Sequence, residues 1–238
     1  MTQRIAVITG GSRGIGLAAA HELGRQGFSL VIVGQHEPRV DQAVSELVSF
    51  GVEAVPVVVD VADSEAVMRE LGEHSLAQDA EVLVTCAGVM SEKMAKTLRT
   101  SAAEWDRVMG VNLNGTFNAI SAIAPAMVQR RSGRIITVSA CLGRFSGPGL
   151  AGGLAPYRIS KAGVNALTKN LAAELGSGTR GILVDAMCPN HTRTDMGGPD
   201  APRSPQEAAD TIVWLATREH TADIVTGVLW EDRQIVPW

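Results

Sequence analysis

The chain has 238 residues, 45 % of them hydrophobic and 19 % charged, with 25 glycines and a net charge of −4. That length suits one large domain, and the apolar, glycine-rich composition supplies a buried α/β core with tight turns and argues against disorder. A mildly acidic chain without a basic stripe argues against a nucleic-acid partner, no apolar run reaches membrane-spanning length, and no charged-then-apolar leader precedes Arg4, so a soluble cytoplasmic protein is expected.

Residues 4–9 form a short apolar run that ends in Gly10-Gly11-Ser12-Arg13-Gly14-Ile15-Gly16. A helical pattern follows through Leu17, Ala20 and Leu23 and stops at Gly27. Strand, glycine-rich turn and helix aim backbone N–H groups and a helix N-terminus at a diphosphate, and glycine lets the backbone come close without a Cβ in the way. A tight βα connection is the plainer reading of the same turn. The second strand, residues 29–33, ends in Gly34-Gln35-His36-Glu37. There an acidic residue would hold a ribose 2′-hydroxyl, and a basic one a 2′-phosphate. No acid stands directly at the strand end and Arg13 lies in the phosphate loop, so NADP(H) is the expected cofactor and NAD(H) the alternative.

A helix over residues 39–50 leads to a third strand, 54–59, capped by Asp60-Val61. Asp60 is placed to accept from an adenine amino group; equally, Asp63 and Ser64 cap the next helix, 64–73. The fourth strand, 81–84, runs into Thr85-Cys86-Ala87-Gly88. A long helical stretch, 102–129, carries Asn112-Leu113-Asn114-Gly115, and because Asn and Gly are poor helix-interior residues a local bend is expected there, with Asn112 hydrogen-bonding at it. The fifth strand is 134–139, followed by a Gly- and Pro-rich loop. The sixth, 182–187, runs into Cys188-Pro189-Asn190-His191-Thr192-Arg193-Thr194-Asp195 and a segment that reads as a mobile lid or a linker. Ser204-Pro205-Gln206-Glu207 opens the last helix, with Pro at its first position and an acidic first turn. A seventh strand, 224–229, precedes an apolar tail. Strands alternating with helices predict one domain over 1–238, a doubly wound parallel seven-stranded sheet with helices on both faces. Cys86, Cys141 and Cys188 are scattered through apolar runs and read as reduced core thiols, not as a disulfide set or a metal site.

Tyr157 is the only tyrosine, and Lys161 follows it at i+4 on a pattern of helical period, so both side chains share one face. A phenol titrates near ~10, and an ammonium within a few ångström favours the phenolate and brings it nearer to acid/base work at neutral pH. The plainer reading is an amphipathic helix with both residues at its wet edge.

Thr9-Gly10-x-x-x-Gly14-x-Gly16, Asp60-Val61, Ala87-Gly88, Asn112-x-x-Gly115, Tyr157-x-x-x-Lys161 and Pro189, in that order over nearly the whole length, resemble the short-chain dehydrogenase/reductase family. Thr194-Asp195-Met196 and the Trp-containing tail look like its carbonyl-reductase-like branch. The resemblance implies a Rossmann fold and hydride transfer between a nicotinamide and a carbonyl or alcohol. Tyr157 would be the acid/base, Lys161 would lower its pKa and hold the nicotinamide ribose, and Asn112 would hold a water in a proton relay. Gly10, Ser12, Arg13, Gly14, Ile15, Gly16, Gln35, Asp60, Val61, Ala87, Gly88, Pro189, Thr192 and Thr194 would line the cofactor.

Four positions depart from the family pattern. The usual serine that bonds the substrate oxygen is Ala140 here. Ser139 is its neighbour, but adjacent strand residues point to opposite faces, so Ser139 would serve only through a one-residue bulge, with His191 or Ser146 as substitutes. Cys86 stands for an asparagine, Gln35 for an arginine and Asn190 for a glycine. The missing donor keeps a second reading open: a non-redox cyclase, dehydratase or isomerase, or a cofactor-binding protein, on the same scaffold. Loops over about 141–156 and 190–205, with Phe145, Leu150, Leu154 and Met196, would flank a pocket for an apolar carbonyl or alcohol. The 102–129 helix and the apolar tail suggest a homodimer or homotetramer.

Overall fold

The first strand, β1 (Arg4–Thr9), is apolar on both sides and divides the interior in two. Ala6 and Ile8 point into one core with Leu30, Ile32, Val82 and Ile136, while Ile5 and Val7 point into the other with Val31, Leu83, Ile135 and Val184. Period-two alternation of this kind, apolar in both phases, marks strands covered on both faces. The computed structural model describes residues 3–92, 95–221 and 223–238.

The chain continues through α1 (Gly14–Arg25), β2 (Phe28–Gly34), α2 (Glu37–Ser49), β3 (Ala54–Val58), α3 (Ser64–Val67), α4 (Ser75–Gln78) and β4 (Val82–Thr85). There follow α5 (Ala102–Met109), α6 (Gly115–Arg130), β5 (Gly133–Val138), α7 (Ala155–Glu174), β6 (Ile182–Met187), α8 (Pro205–Thr217), β7 (Leu229–Glu231) and β8 (Gln234–Val236). The sheet order is β3-β2-β1-β4-β5-β6-β7-β8. Every pairing is parallel except the last. Alanines of α1 and residues of α8 cover one face, and α6 and α7 cover the other. Strand order reverses between β1 and β4, and in such sheets the crevice outside the strands' carboxyl ends at that point receives the ligand.

Local signals account for several elements. Asp63 accepts the Ala66 N–H at 3.0 Å and starts α3. Ser204 and Glu207 form a capping box, with Pro205 in the first turn of α8. The bend expected near Asn112 is a π-helical turn, Gly110–Asn114, between α5 and α6. A second π turn, Met68–Gly72, continues α3.

Among the described residues the sheet has eight strands, one more than expected, and the seventh lies later than 224–229. Thr226 interrupts the ladder there: its hydroxyl accepts the Val184 N–H at 2.8 Å, and backbone bonding to β6 starts only at Gly227, whose N–H donates to the Val184 carbonyl at 2.9 Å. Pairing with β6 begins at Leu229. The expected tail is instead the returning arm of a hairpin, turned at Asp232 and Arg233, with φ of 50° and 61°. Two left-handed residues in a two-residue loop match the twist of a hairpin.

Candidate active site

A cavity of about 430 Å³ opens at the carboxyl ends of β1, β4 and β6. Gly10 turns the chain away from β1 at φ +66°, and a Cβ there would lie 2.7 Å from the Ala87 nitrogen. Gly14, at φ +55°, opens α1, and Thr194 Cγ2 sits 3.2 Å from where its Cβ would be. Gly10, Ser12, Arg13, Gly14 and Ile15 all line the cavity. The first-turn N–H groups of α1 have no intrahelical partners, so this corner is built for an anion. Gly16 is outside the lining; it packs under the turn, where a Cβ would come within 2.3 Å of the Gly10 carbonyl.

Gln35, Asp60 and Val61 line the far end, together with His36, which follows Gln35 at the end of β2, and with Arg39, which was not expected there. Arg39 lies inside the α2 pattern, and nothing in its spacing marks it. The Asp60 side chain also accepts the Ala62 N–H at 2.9 Å, which braces the turn. Across the mouth, Arg13 Nη1 meets Asp195 Oδ2 at 2.5 Å.

At the opposite end α7 presents Tyr157 and Lys161 to the same cavity, 7 % and 5 % exposed. They are buried, so the wet-edge reading does not hold. Ala87, Gly88, Pro189 and Thr194 complete this wall. Lys161 Nζ donates to the Val138 carbonyl at 2.7 Å and lies 6.0 Å from the centre of the Tyr157 ring. Burial lowers the Lys161 pKa to about 8, against the pull of Cys86 and Cys188, which raise it. Burial also pushes the Tyr157 pKa up, with Cys188, Cys141 and Cys86 adding to the effect. The direction is opposite to the expected lowering of the phenol's pKa, and burial is its largest cause.

Asn112 is fully buried at the π turn. Its side chain pairs with the Val89 backbone, accepting the N–H at 2.8 Å and donating to the carbonyl at 3.0 Å, and it donates to Ser160 Oγ at 3.0 Å. Asn112 thus ties the α5–α6 junction to the strand-end loop of β4 and to α7. A Cβ on Gly88 would lie 3.5 Å from Asn112 Oδ1 and 3.7 Å from Lys161 Nζ, which puts those two groups on one side of that loop.

Ser139 borders the cavity, but its hydroxyl is engaged on the side of α7. Its hydroxyl donates to Asn165 Oδ1 at 2.5 Å, and its N–H continues the ladder to the Met187 carbonyl at 2.8 Å. The bulge that would have turned it is not formed, because regular pairing with β6 runs to the strand's end. Ala140 takes the other phase and packs with Val108 and Tyr157, flanked by Val89, Met90, Leu142 and Leu154. The wall beside the phenol is apolar. Thr192 also differs from expectation: its hydroxyl turns back to the Pro189 carbonyl at 3.0 Å and is outside the cavity lining. Of the substitute donors, His191 bonds the Gly197 carbonyl at 2.8 Å and Ser146 donates to the Trp238 carbonyl at 3.3 Å. Asn190 adopts φ 58°, the left-handed turn that a glycine would otherwise supply.

The cysteines are not scattered in space. Each lies just past the end of one of three adjacent strands, β4, β5 and β6. A hydrogen bond from Cys188 lowers the Cys141 pKa to about 6, and the same bond raises that of Cys188. Burial raises Cys86 to about 11. Equivalent positions on parallel strands were the available signal, and the long sequence gaps conceal it.

Residues 4–204 match the family model for short chain dehydrogenase. The chain is similar to a 3-oxoacyl-[acyl-carrier-protein] reductase of Synechocystis, at 34 % identity over 95 % of this chain and 94 % of that protein. Among solved structures it resembles a 3-oxoacyl-[acyl-carrier protein] reductase of Brucella melitensis with bound NAD, at TM-score 0.84 and 32 % identity, covering 96 % of this chain and 88 % of that one. It also resembles a variant of the actinorhodin polyketide ketoreductase with NADPH, at TM-score 0.85 and 26 % identity, covering 96 % and 95 %.

Proposed function

The chain belongs to the short chain dehydrogenase family of oxidoreductases, and on that premise we propose that it is an NADP(H)-dependent ketoreductase acting on a small apolar carbonyl compound. The observation that carries this reading is one cavity shared by an anion-receiving helix end and the buried Tyr157–Lys161 pair. A nicotinamide cofactor bound there supplies or accepts the hydride. Gly10 to Ile15 receive its diphosphate, Asp60 and Val61 border the adenine, and Arg13 with Arg39 and His36 favours a 2′-phosphate. At the other end Lys161, fixed by the Val138 carbonyl, offers its remaining N–H groups to ribose hydroxyls.

Tyr157 carries its proton at neutral pH and is the acid for carbonyl reduction. Asn112 holds the β4 loop and α7 in register, so that Gly88 and Lys161 border one space. The apolar wall of Ala140, Val89, Leu142 and Leu154 supports an apolar substrate. Phe117 and Ile159, 54 % and 42 % exposed on α6 and α7, support self-association through that side of the molecule. Tyr157→Phe tests the assignment. Turnover falls about 10²- to 10⁴-fold, the range for a positioned acid, while NADPH affinity stays within about twofold. Unchanged turnover in that variant contradicts it.

A further inference from the structure

Two features of the cofactor mouth are not used by the chemistry above: the carboxylate of Asp195, and the way the segment after β6 is held over the phosphate loop. The backbone fixes that segment. Gly198 N–H donates to the Thr194 carbonyl at 2.8 Å, Gly197 N–H to Thr194 Oγ1 at 3.2 Å, and Arg193 N–H to the Arg203 carbonyl at 2.7 Å. Thr194 rests against Gly14, so Asp195 projects over the turn that carries Arg13. The Arg13–Asp195 contact is 2.5 Å, and the two side chains remain 54 % and 75 % exposed. Arg39, the other arginine of the ribose corner, makes no ion pair among the described residues. The cation best placed in the loop for a ribose phosphate is thus the one already committed to a carboxylate.

We propose that Asp195 sets the cofactor preference by competing with the ligand's 2′-phosphate for Arg13; this rests on the dinucleotide reading of the cavity. A 2′-phosphate must displace the carboxylate to gain Arg13, whereas a 2′-hydroxyl leaves the pair intact. Asp195 therefore narrows the discrimination between NADPH and NADH without touching the reacting atoms. An exposed ion pair is weak, and the phosphate–guanidinium contact that replaces it is charge-assisted and stronger, so competition lowers the preference without abolishing it.

The experiment is a fluorescence titration of the full chain with NADPH and with NADH, in wild type, Asp195→Asn, Arg13→Gln and the double variant. Adenosine 2′,5′-bisphosphate and 5′-AMP serve as competing probes that lack the nicotinamide. Asp195→Asn is expected to raise the NADPH-over-NADH affinity ratio about two- to fivefold, the range for an exposed pair, and to do the same for bisphosphate over AMP. In the Arg13→Gln background the Asp195→Asn change is expected to leave both ratios unmoved. Ratios that stay put in the single variant overturn the proposal, as do ratios that rise equally when Arg13 is absent, which would report general repulsion by Asp195. Wild-type protein that binds neither dinucleotide overturns the dinucleotide reading and this proposal with it, an outcome separate from the other two.

Discussion

Tyr157 keeps its proton at neutral pH because burial disfavours the phenolate. Lys161 titrates in the working range, since burial brings it to about 8. Its charge is present below that value and lost above it. In reduction, kcat/KM measured against the cofactor reports the ligand-free enzyme. That parameter should fall as pH rises through about 8, where the ammonium proposed to hold the ribose is discharged. A profile level to pH 10 would mean that Lys161 stays charged and that the burial argument fails. Ala140 offers a second test at this scale. Its methyl packs against Tyr157 at the position where the family resemblance implies a serine. Supplying one such donor changes rates by roughly 10²–10³-fold in other enzymes. Ala140→Ser should raise kcat for carbonyl reduction by at least about tenfold, with little change in NADPH affinity. No gain in steady-state kcat would show that the site works without that donor. The resemblance to the family's motifs made Ala140 legible in the sequence. The balance of desolvation against charge at Tyr157 was not legible, because it depends on how completely α7 and three distant cysteines enclose the phenol.

Among elements, β1 with the turn into α1 and the start of α8 were readable because their signals are local: an apolar run meeting glycines, and a capping box with its proline. The carboxyl-terminal end of the sheet was not, because its determinant is a single buried charge. Asp185 on β6 is 2 % exposed and forms an ion pair with Arg218. It also accepts from Trp230 Nε1 at 3.0 Å and from Thr226 Oγ1 at 3.2 Å. Arg218 in turn lies 5.4 Å and 5.2 Å from the ring centres of Trp214 and Trp230. The network ties β6, the end of α8 and β7 together and draws pairing to Leu229, past the run that propensity favours. Removing one partner of a buried ion pair leaves the other charge uncompensated, at a cost of about 3–5 kcal/mol. Asp185→Ala should lose about that much in urea denaturation. A loss below about 1 kcal/mol would show that the hairpin is held by its apolar contacts instead. The two π turns were equally hidden, apart from Asn112, whose poor fit to a helix interior announced a break without its form.

At the scale of the whole molecule, the site is assembled from the carboxyl ends of β1, β4, β5 and β6 and the first turns of α1 and α7. Segments separated by more than a hundred residues meet there because a doubly wound parallel sheet brings every strand end to one edge. The motif order in the sequence carried that much. The convergence of Cys86, Cys141 and Cys188 and the bridge from Arg13 to Asp195 depend on which strands neighbour one another, and no spacing within the chain records that. On the proposed function, this edge transfers a hydride between a nicotinamide and a carbonyl carbon. The direct measurement uses NADPH deuterated at C4, each face in turn, with a panel of apolar ketones and 3-oxoacyl thioesters, and mass spectrometry of the products. The expected result of hydride transfer is one deuterium on the carbinol carbon of an alcohol product, from one face of the labelled cofactor. Product that forms without label from either face, or with the cofactor unconsumed, would contradict it and give the scaffold a non-redox chemistry.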